Sequence, residues 1–324
     1  DDLGTDTANS GVLTVNNVAP VITSFGSDAT FEDKGQEGEP VQFDGTFTDV
    51  GVLDTHTAEV DWGDGSPPEP LTVVQGAGFG SVSGSHTYVS GGIYTVTLTL
   101  TDDDTGADQS TTLAVITGVG INKGVLYIVG TNHSGGDHVS VNGVGQSQIR
   151  VHADFIPEPH RTFDLALVDQ IIAYLCDGDD HMTVSNAILT PAIVHGGAGN
   201  DHLGGGGGPT VLLGHSGDDD LVGGKGRSVL IGGGGRDRLR GGSDDDVLVG
   251  GSTDIDGDDD ALLGVLLAWD ANDSYENRVA AVDALFTVID DAEEDKLTGS
   301  SGRDLFYDGV GDLMTDLKPT ESVL

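Results

Sequence analysis

Apolar residues follow three rhythms along the chain, and each rhythm predicts a different element. Between about Val18 and Thr117 they alternate. The run IYTVTLTLTD (residues 93–102) sets Tyr94, Val96, Leu98 and Leu100 on one face and threonines on the other, which predicts a strand with one buried face. Val41, Phe43 and Phe47 mark a second such run. Clusters of Gly, Pro and Asp between the runs predict an all-β sandwich.

From Gly196 the period becomes nine. Without a gap the chain reads GGAGNDHLG, GGGGPTVLL, GHSGDDDLV, GGKGRSVLI, GGGGRDRLR and GGSDDDVLV, ending at Val249. Gly opens every unit, and the eighth place is Leu203, Leu212, Leu221, Leu230, Leu239 and Leu248. So strict a period marks a repeat architecture. The glycine-rich half predicts a turn with backbone angles open to glycine alone, and the last three residues a short strand that sends one Leu inward. Two units close one coil, and coils stack as parallel strands about 4.8 Å apart. A disordered Gly/Asp linker would carry no leucine register.

The same architecture is expected to begin earlier and resume later. GVLYIVG and FDLALVDQIIAYL read as strands of an opening β-helix, with Asp137 and Asp180 at the sixth place of irregular coils. After Val249 a helical rhythm intervenes: Leu262, Leu266 and Trp269, then Tyr275, Val279, Val282 and Phe286 behind a capping box of Asp273 and Glu276. This pair is expected to cap the open end of the roll or to be an insertion. Nine-residue spacing then returns, with Asp295 and Asp304 at place six and Leu297 and Phe306 at place eight. The expected fold is all-β: a sandwich at 18–117 and a parallel β-roll or β-helix at 118–324, with a helical cap at about 258–287. Residues 1–17 read as the last strand and linker of a preceding domain. The closing DLKPTESVL reads either as an export signal or as a frayed tail.

Two segments resemble known families. VDWGDGS (residues 60–66) followed by HTYVSGGIYTVTLTLTDDDTG (residues 86–106) resembles the polycystic-kidney-disease (PKD) repeat, which implies an immunoglobulin-like sandwich acting as a spacer or weak binder. Within it, Asp61 and Asp64 are expected to serve the turn's own backbone hydrogen bonds. The nonapeptides resemble the RTX, or haemolysin-type, calcium-binding repeat, which implies a β-roll holding several Ca2+ ions. That resemblance places each ion between two turns one coil apart. The earlier turn offers carbonyls at places two and four, the later at places one and three, and each offers its Asp. Carried over, one site takes Gly197, Gly199, Asp201, Gly214, Ser216 and Asp219; the next takes His215, Gly217, Asp219, Gly232, Gly234 and Asp237. Six hard oxygen donors suit Ca2+.

Spacing separates the acids into two columns. Asp201, Asp219 and Asp237 recur at every second unit, whereas the units between them carry Thr210, Ser228 and Asp246 on the opposite side. One column is thus expected to fill with calcium, and the other to have largely lost its carboxylates. Asp180, Asp137, Asp295 and Asp304 are candidate extensions. Stacked carboxylates about 5 Å apart repel by roughly 3 kcal/mol per pair at an effective dielectric near 20, a penalty that a divalent ion reverses.

Composition then narrows the function. The chain has 54 acidic against 13 basic side chains and a net charge of -41. It therefore lacks the basic patch that nucleic acid requires. No apolar run reaches the roughly 18 residues of a membrane span. A single cysteine, Cys176, leaves no intrachain disulfide, so bound metal is the expected staple of an extracellular chain. No H-E-x-x-H motif or complete lipase elbow is present, and His195, His202 and His215 at turn positions are expected to face solvent. The reading is a non-catalytic, secreted or cell-surface calcium module with a polysaccharide or surface protein as possible partner. The alternative is the carrier region of an extracellular hydrolase with its catalytic domain upstream.

Overall fold

The computed structural model describes residues 17–324. Residues 1–16, read above as the end of a preceding domain, lie outside them. The chain divides into two compact units. The first comprises the described residues up to Ser27 with 42–86 and 95–113, and the second residues 28–41, 87–94 and 114–324.

The first unit is a β-sandwich. One sheet orders its strands Val21–Ser27, Pro40–Thr48, Phe79–Thr87 and Thr72–Gly76; in the other, His56–Asp61 pairs antiparallel with Gly92–Asp102. The predicted alternation is visible in burial: Val96, Leu98 and Leu100 are closed off from water. Phe47, Ala58, Val82, Leu98 and Leu100 form its core, and the Trp62 ring packs 4.9 Å from Phe43. The Gly-Asp-Gly turn is held by its own acids. Asp61 accepts from the Gly63 amide at 2.9 Å and Asp64 from the Ser66 amide at 2.9 Å.

The second unit is a roll of two parallel sheets. One sheet orders Val125–Val129, Gln170–Asp177, Ala192–Ala198, Thr210–Ser216, Ser228–Gly234, Val247–Val249, Leu305–Tyr307 and Ser322–Val323. The other carries His138–Val144, His181–Val184, His202–Gly204, Asp220–Val222, Arg238–Gly242, Lys296–Ser300 and Leu313–Met314. Register follows the coil of two units: Leu203 aligns with Leu221 and Leu239, and Leu212 with Leu230 and Leu248. All six leucines are fully buried in one core between the sheets. The segment FDLALVDQIIAYL is not continuous strand. Its first part ends one strand at Asp164 and makes a 3-10 turn at Leu165–Leu167 before Gln170–Asp177 begins, because Asp164 accepts from the Ala166 amide and caps the turn.

Two helices follow Val249. Helix α1 spans Asp259–Asp270, and its N-cap Asp258 accepts from the Ala261 amide. Helix α2 spans Tyr275–Asp283, and its cap is Ser274 rather than Asp273, with the Ser274 hydroxyl accepting from Asn277. They do not close the open end of the roll. They are an insertion that lies on the outer face of the first sheet, where Leu262, Val265, Leu266 and Trp269 meet Val211, Leu213, Val229, Ile231, Val247 and Val249. The reason lies in those strands. Their flanking residues are apolar as well as the central Leu, so both faces need burial. The helices leave the repeat intact because the chain re-enters it in register: Leu239 pairs with Leu297 and Leu248 with Phe306. The closing segment is also ordered into the sheet, since Ser322 and Val323 pair with Leu305 and Phe306.

Truncating an inward leucine should expose how much the stack depends on each rung. Leu221→Ala should lower the stability of the calcium-loaded protein by about 2–5 kcal/mol. Leu189→Ala, at a side chain 71% exposed, should change it by less than about 0.5 kcal/mol. Chemical denaturation in saturating calcium would compare them, and equal effects would contradict the inward register.

Candidate metal centre

Most turns of the roll end on an aspartate held in one geometry. In the first column the amide of Asp137 donates to Asp180 Oδ1, that of Asp180 to Asp201, Asp201 to Asp219, Asp219 to Asp237, Asp237 to Asp295 and Asp295 to Asp312, at 2.5 to 3.1 Å. One carboxylate oxygen of each acid from Asp180 onward is therefore used to fasten the coil before it. The other oxygen, Oδ2, is buried and accepts no hydrogen bond in Asp180, Asp201, Asp219 and Asp237. A row of desolvated, unsatisfied anionic oxygens is costly unless something outside the protein balances it.

The first-place glycines explain where those oxygens point. A Cβ added to Gly214 would lie 2.1 Å from Asp219 Oδ2, and one added to Gly232 would lie 2.3 Å from Asp237 Oδ2. Gly196 stands in the same relation to Asp201. Any side chain would fill the cradle that the free oxygen faces. Gly217 has φ +129°, and its Cβ would sit 1.9 Å from the Gly199 carbonyl, so the turns also stack too closely for anything larger. His215 accepts a left-handed φ of 74° among these glycines. The Ser216 carbonyl accepts the Gly199 amide, and the Gly234 carbonyl the Gly217 amide, both at 2.8 Å. Each keeps a second lone pair.

The second column is richer than its nine-residue units imply. Ser228 donates its amide to Asp246 Oδ1 at 2.7 Å, and Asp246 donates to Asp304 Oδ1 at 2.9 Å. Asp246 and Asp304 each leave Oδ2 buried and without a hydrogen bond. Thr210 and Ser228 turn their hydroxyls back to the carbonyls of Gly208 and Gly226. The side thought to have largely lost its acids thus carries Asp246 before the helical insertion and Asp304 beyond it. Asp295 joins the first column and Asp304 the second.

Burial is the main force on these carboxyls in the metal-free chain, and it favours the protonated form. It pushes Asp180 and Asp219 up to about 6, Asp295 and Asp304 to about 7, Asp201 and Asp237 to about 8 and Asp246 to about 9. Neighbouring carboxylates add to the rise, and the amide from the preceding coil opposes it.

The column ends differ from its middle. Asp137 is aligned, but both its oxygens accept from Thr131, one from the amide and one from the hydroxyl. Beyond Asp295 stands Asp312, whose Oδ2 also faces Gly250. Glu321 takes the matching place beyond Asp304. Both acids fall one position short of a full two-unit coil, so a search at multiples of nine passes over them. That single-residue shortening of the coil was the missing signal.

The histidines divide. His202 is half-exposed, but His195 is buried, bonded to Asp259 at 2.9 Å and to His215 at 2.9 Å, and stacked 4.5 Å from Tyr174. The expectation that it faces solvent fails because α1 brings Asp259 over it. In the sandwich, Asp49, Asp54 and Asp102 converge within 4.8 Å. Asp49 is bonded to His56 and to the Gly51 amide, and Asp102 to the amides of Asp104 and Gly106.

Two family models match the chain. Residues 17–117 match the PKD domain, and residues 193–212 and 213–248 match the RTX calcium-binding nonapeptide repeat (4 copies). Among solved structures, the PKD1 domain of Vibrio anguillarum Epp is similar at 23% identity, over 31% of this chain and 96% of that one, with a TM-score of 0.23. No curated protein matches the chain. Both matched modules are non-catalytic and typical of secreted or extracellular proteins, and no helix among the described residues is long and apolar enough to cross a membrane. The chain carries a PKD domain followed by RTX calcium-binding nonapeptide repeats, which bind several Ca2+ ions across the array.

Proposed function

We propose that this chain is an extracellular structural or adhesive module whose roll folds when calcium fills its carboxylate columns. The observation that carries the reading is the set of buried Oδ2 atoms without hydrogen bonds, those of Asp201, Asp219, Asp237, Asp246 and Asp304 each aimed at a glycine cradle. In the first column an ion between Asp201 and Asp219 would take carbonyls from Gly197, Gly199, Gly214 and Ser216. The next, between Asp219 and Asp237, would take carbonyls from His215, Gly217, Gly232 and Gly234. Asp180–Asp201, Asp237–Asp295 and, in the second column, Asp246–Asp304 repeat the same pairing of acids. Asp137, whose two oxygens each accept from Thr131 but keep a second lone pair, closes its column as the ligand already most engaged by the protein. Calcium supplies two positive charges and flexible oxygen coordination between coils; the chain supplies rigid spacing and excludes water.

Metal-free protein should lose most of its β signal and regain it cooperatively on adding calcium, as circular dichroism would read; a spectrum indifferent to chelation would refute the coupling. Asp219 is shared by two positions, so Asp219→Ala should lower the calcium stoichiometry by two ions in calorimetry. A loss of one or none would break the assignment.

Acidity should act in opposite directions with and without metal. The folded carboxyls hold protons more tightly than unfolded ones, whose reference is about 3.9. Their contribution to metal-free stability is therefore present at low pH and is lost as pH rises towards about 9. Metal-free protein should gain β structure on acidification from about pH 8 to pH 5, while calcium affinity falls over the same range. Parallel dichroism and calorimetry across that range would check both, and a metal-free fold that strengthens towards alkaline pH would contradict the burial of the acids.

A further inference from the structure

The second column continues past Asp304 to a position that contains a cation of the protein's own. Leu305 and Phe306 pair with Ser322 and Val323, so Glu321 falls one coil beyond Asp304 at the same sixth place. Both carboxylate side chains are fully shielded from water. Between them enters the ammonium of Lys318, three residues before Glu321. Its Nζ donates to Glu321 Oε1 at 2.6 Å and to the Gly302 carbonyl at 3.2 Å, and stands 3.6 Å from Asp304 Oδ2.

Those three oxygens have specific places in the repeat. Gly302 is place four and Asp304 place six of the earlier turn, while Glu321 is place six of the later turn. They are the kinds of donor, at the same places, that the calcium reading gives to an ion between two coils. Asp304 Oδ2 also faces its first-place glycine as in the other turns, 2.2 Å from a Cβ built on Gly299. Glu321 Oε2 accepts the Lys318 amide at 2.6 Å, which fixes the carboxylate against the segment that carries the ammonium. We propose that Lys318 is a built-in substitute for calcium, its ammonium filling the inter-turn cation position between Asp304 and Glu321.

Chemistry favours a lysine for this role. An ammonium is a compact point charge with three donors on a flexible stem, so it can enter a pocket of converging oxygens. It carries one charge where calcium carries two, and the coil gains other fastenings. Tyr275 Oη donates to the Asp304 carbonyl at 2.7 Å and accepts the Ser322 amide at 3.0 Å, and Arg303 Nε donates to the Thr320 carbonyl at 3.0 Å. The coil at 316–324 is then joined to the roll without metal of its own.

This inference rests on calcium filling the other inter-turn positions, and the test separates the two. Calcium stoichiometry is measured by calorimetry on the whole chain for wild type, Lys318→Met and Lys225→Met, the last at a lysine bonded through its backbone amide. Lys318→Met should bind one more ion per chain than wild type, with Lys225→Met unchanged. If wild type binds no calcium, the calcium reading itself fails. If wild type binds and Lys318→Met gives the same count, or does not fold in saturating calcium, the substitution proposal is overturned. Independently of any variant, the Lys318 amine of calcium-loaded wild type should acetylate at least tenfold more slowly than that of Lys225. Equal rates read by mass spectrometry would also overturn it.

Discussion

The repeat region depends on one electrostatic conflict: buried acids stacked coil upon coil, six of which have one oxygen bound to the coil before and one left over. The first oxygen is structural. The amide-to-carboxylate bonds that run from Asp137 to Asp312 make the acids part of the backbone ladder. The second oxygen is what repels its neighbours and demands a counter-charge. Neutrality can come from protons, from a metal or from a lysine, and the pronounced rise in carboxyl pKa reflects how strongly burial disfavours leaving the charge alone.

Glycine and leucine answer to that conflict from opposite ends of the nonapeptide. Glycine at the first place leaves room for the free oxygen and whatever it holds; a methyl there would collide with it. Leucine at the eighth place supplies the dry core between the sheets. The two sheets are then finished differently. Where the flanking residues are apolar, as in Val211–Leu212–Leu213, the outer face is covered by α1 and α2. Where they are polar, as in Arg238–Leu239–Arg240, only the leucine is buried. The helices are anchored as well as packed: Trp269 donates to the Asp245 carbonyl at 2.7 Å, and Arg278 pairs with the Asp245 carboxylate beneath them.

The sandwich follows a more ordinary logic. Its alternating strands bury aromatic and aliphatic residues on one face, and its acidic turn residues bond the backbone next to them. Asp61 and Asp64 are satisfied in this way, in clear contrast to the unsatisfied acids of the roll. Identical side chains thus do different work according to whether solvent or a neighbouring side chain, such as His86 beside Asp64, satisfies the oxygen that the backbone leaves over.

Much of this was legible along the chain, because a roll is nearly one-dimensional: contacts recur at a fixed separation, so period alone determines which residues stack. The Leu203–Leu221–Leu239 register, the Asp201–Asp219–Asp237 column and both sandwich and helix rhythms are of this kind. What period could not reach was anything that breaks it. The helical insertion hid the continuity of Asp246 with Asp304, and the shortened coils after it hid Asp312 and Glu321. The resting place of the helices, the burial of His195 under Asp259 and the entry of Lys318 between two acids were decided only in three dimensions. Each depends on side chains that meet across separations no local pattern records.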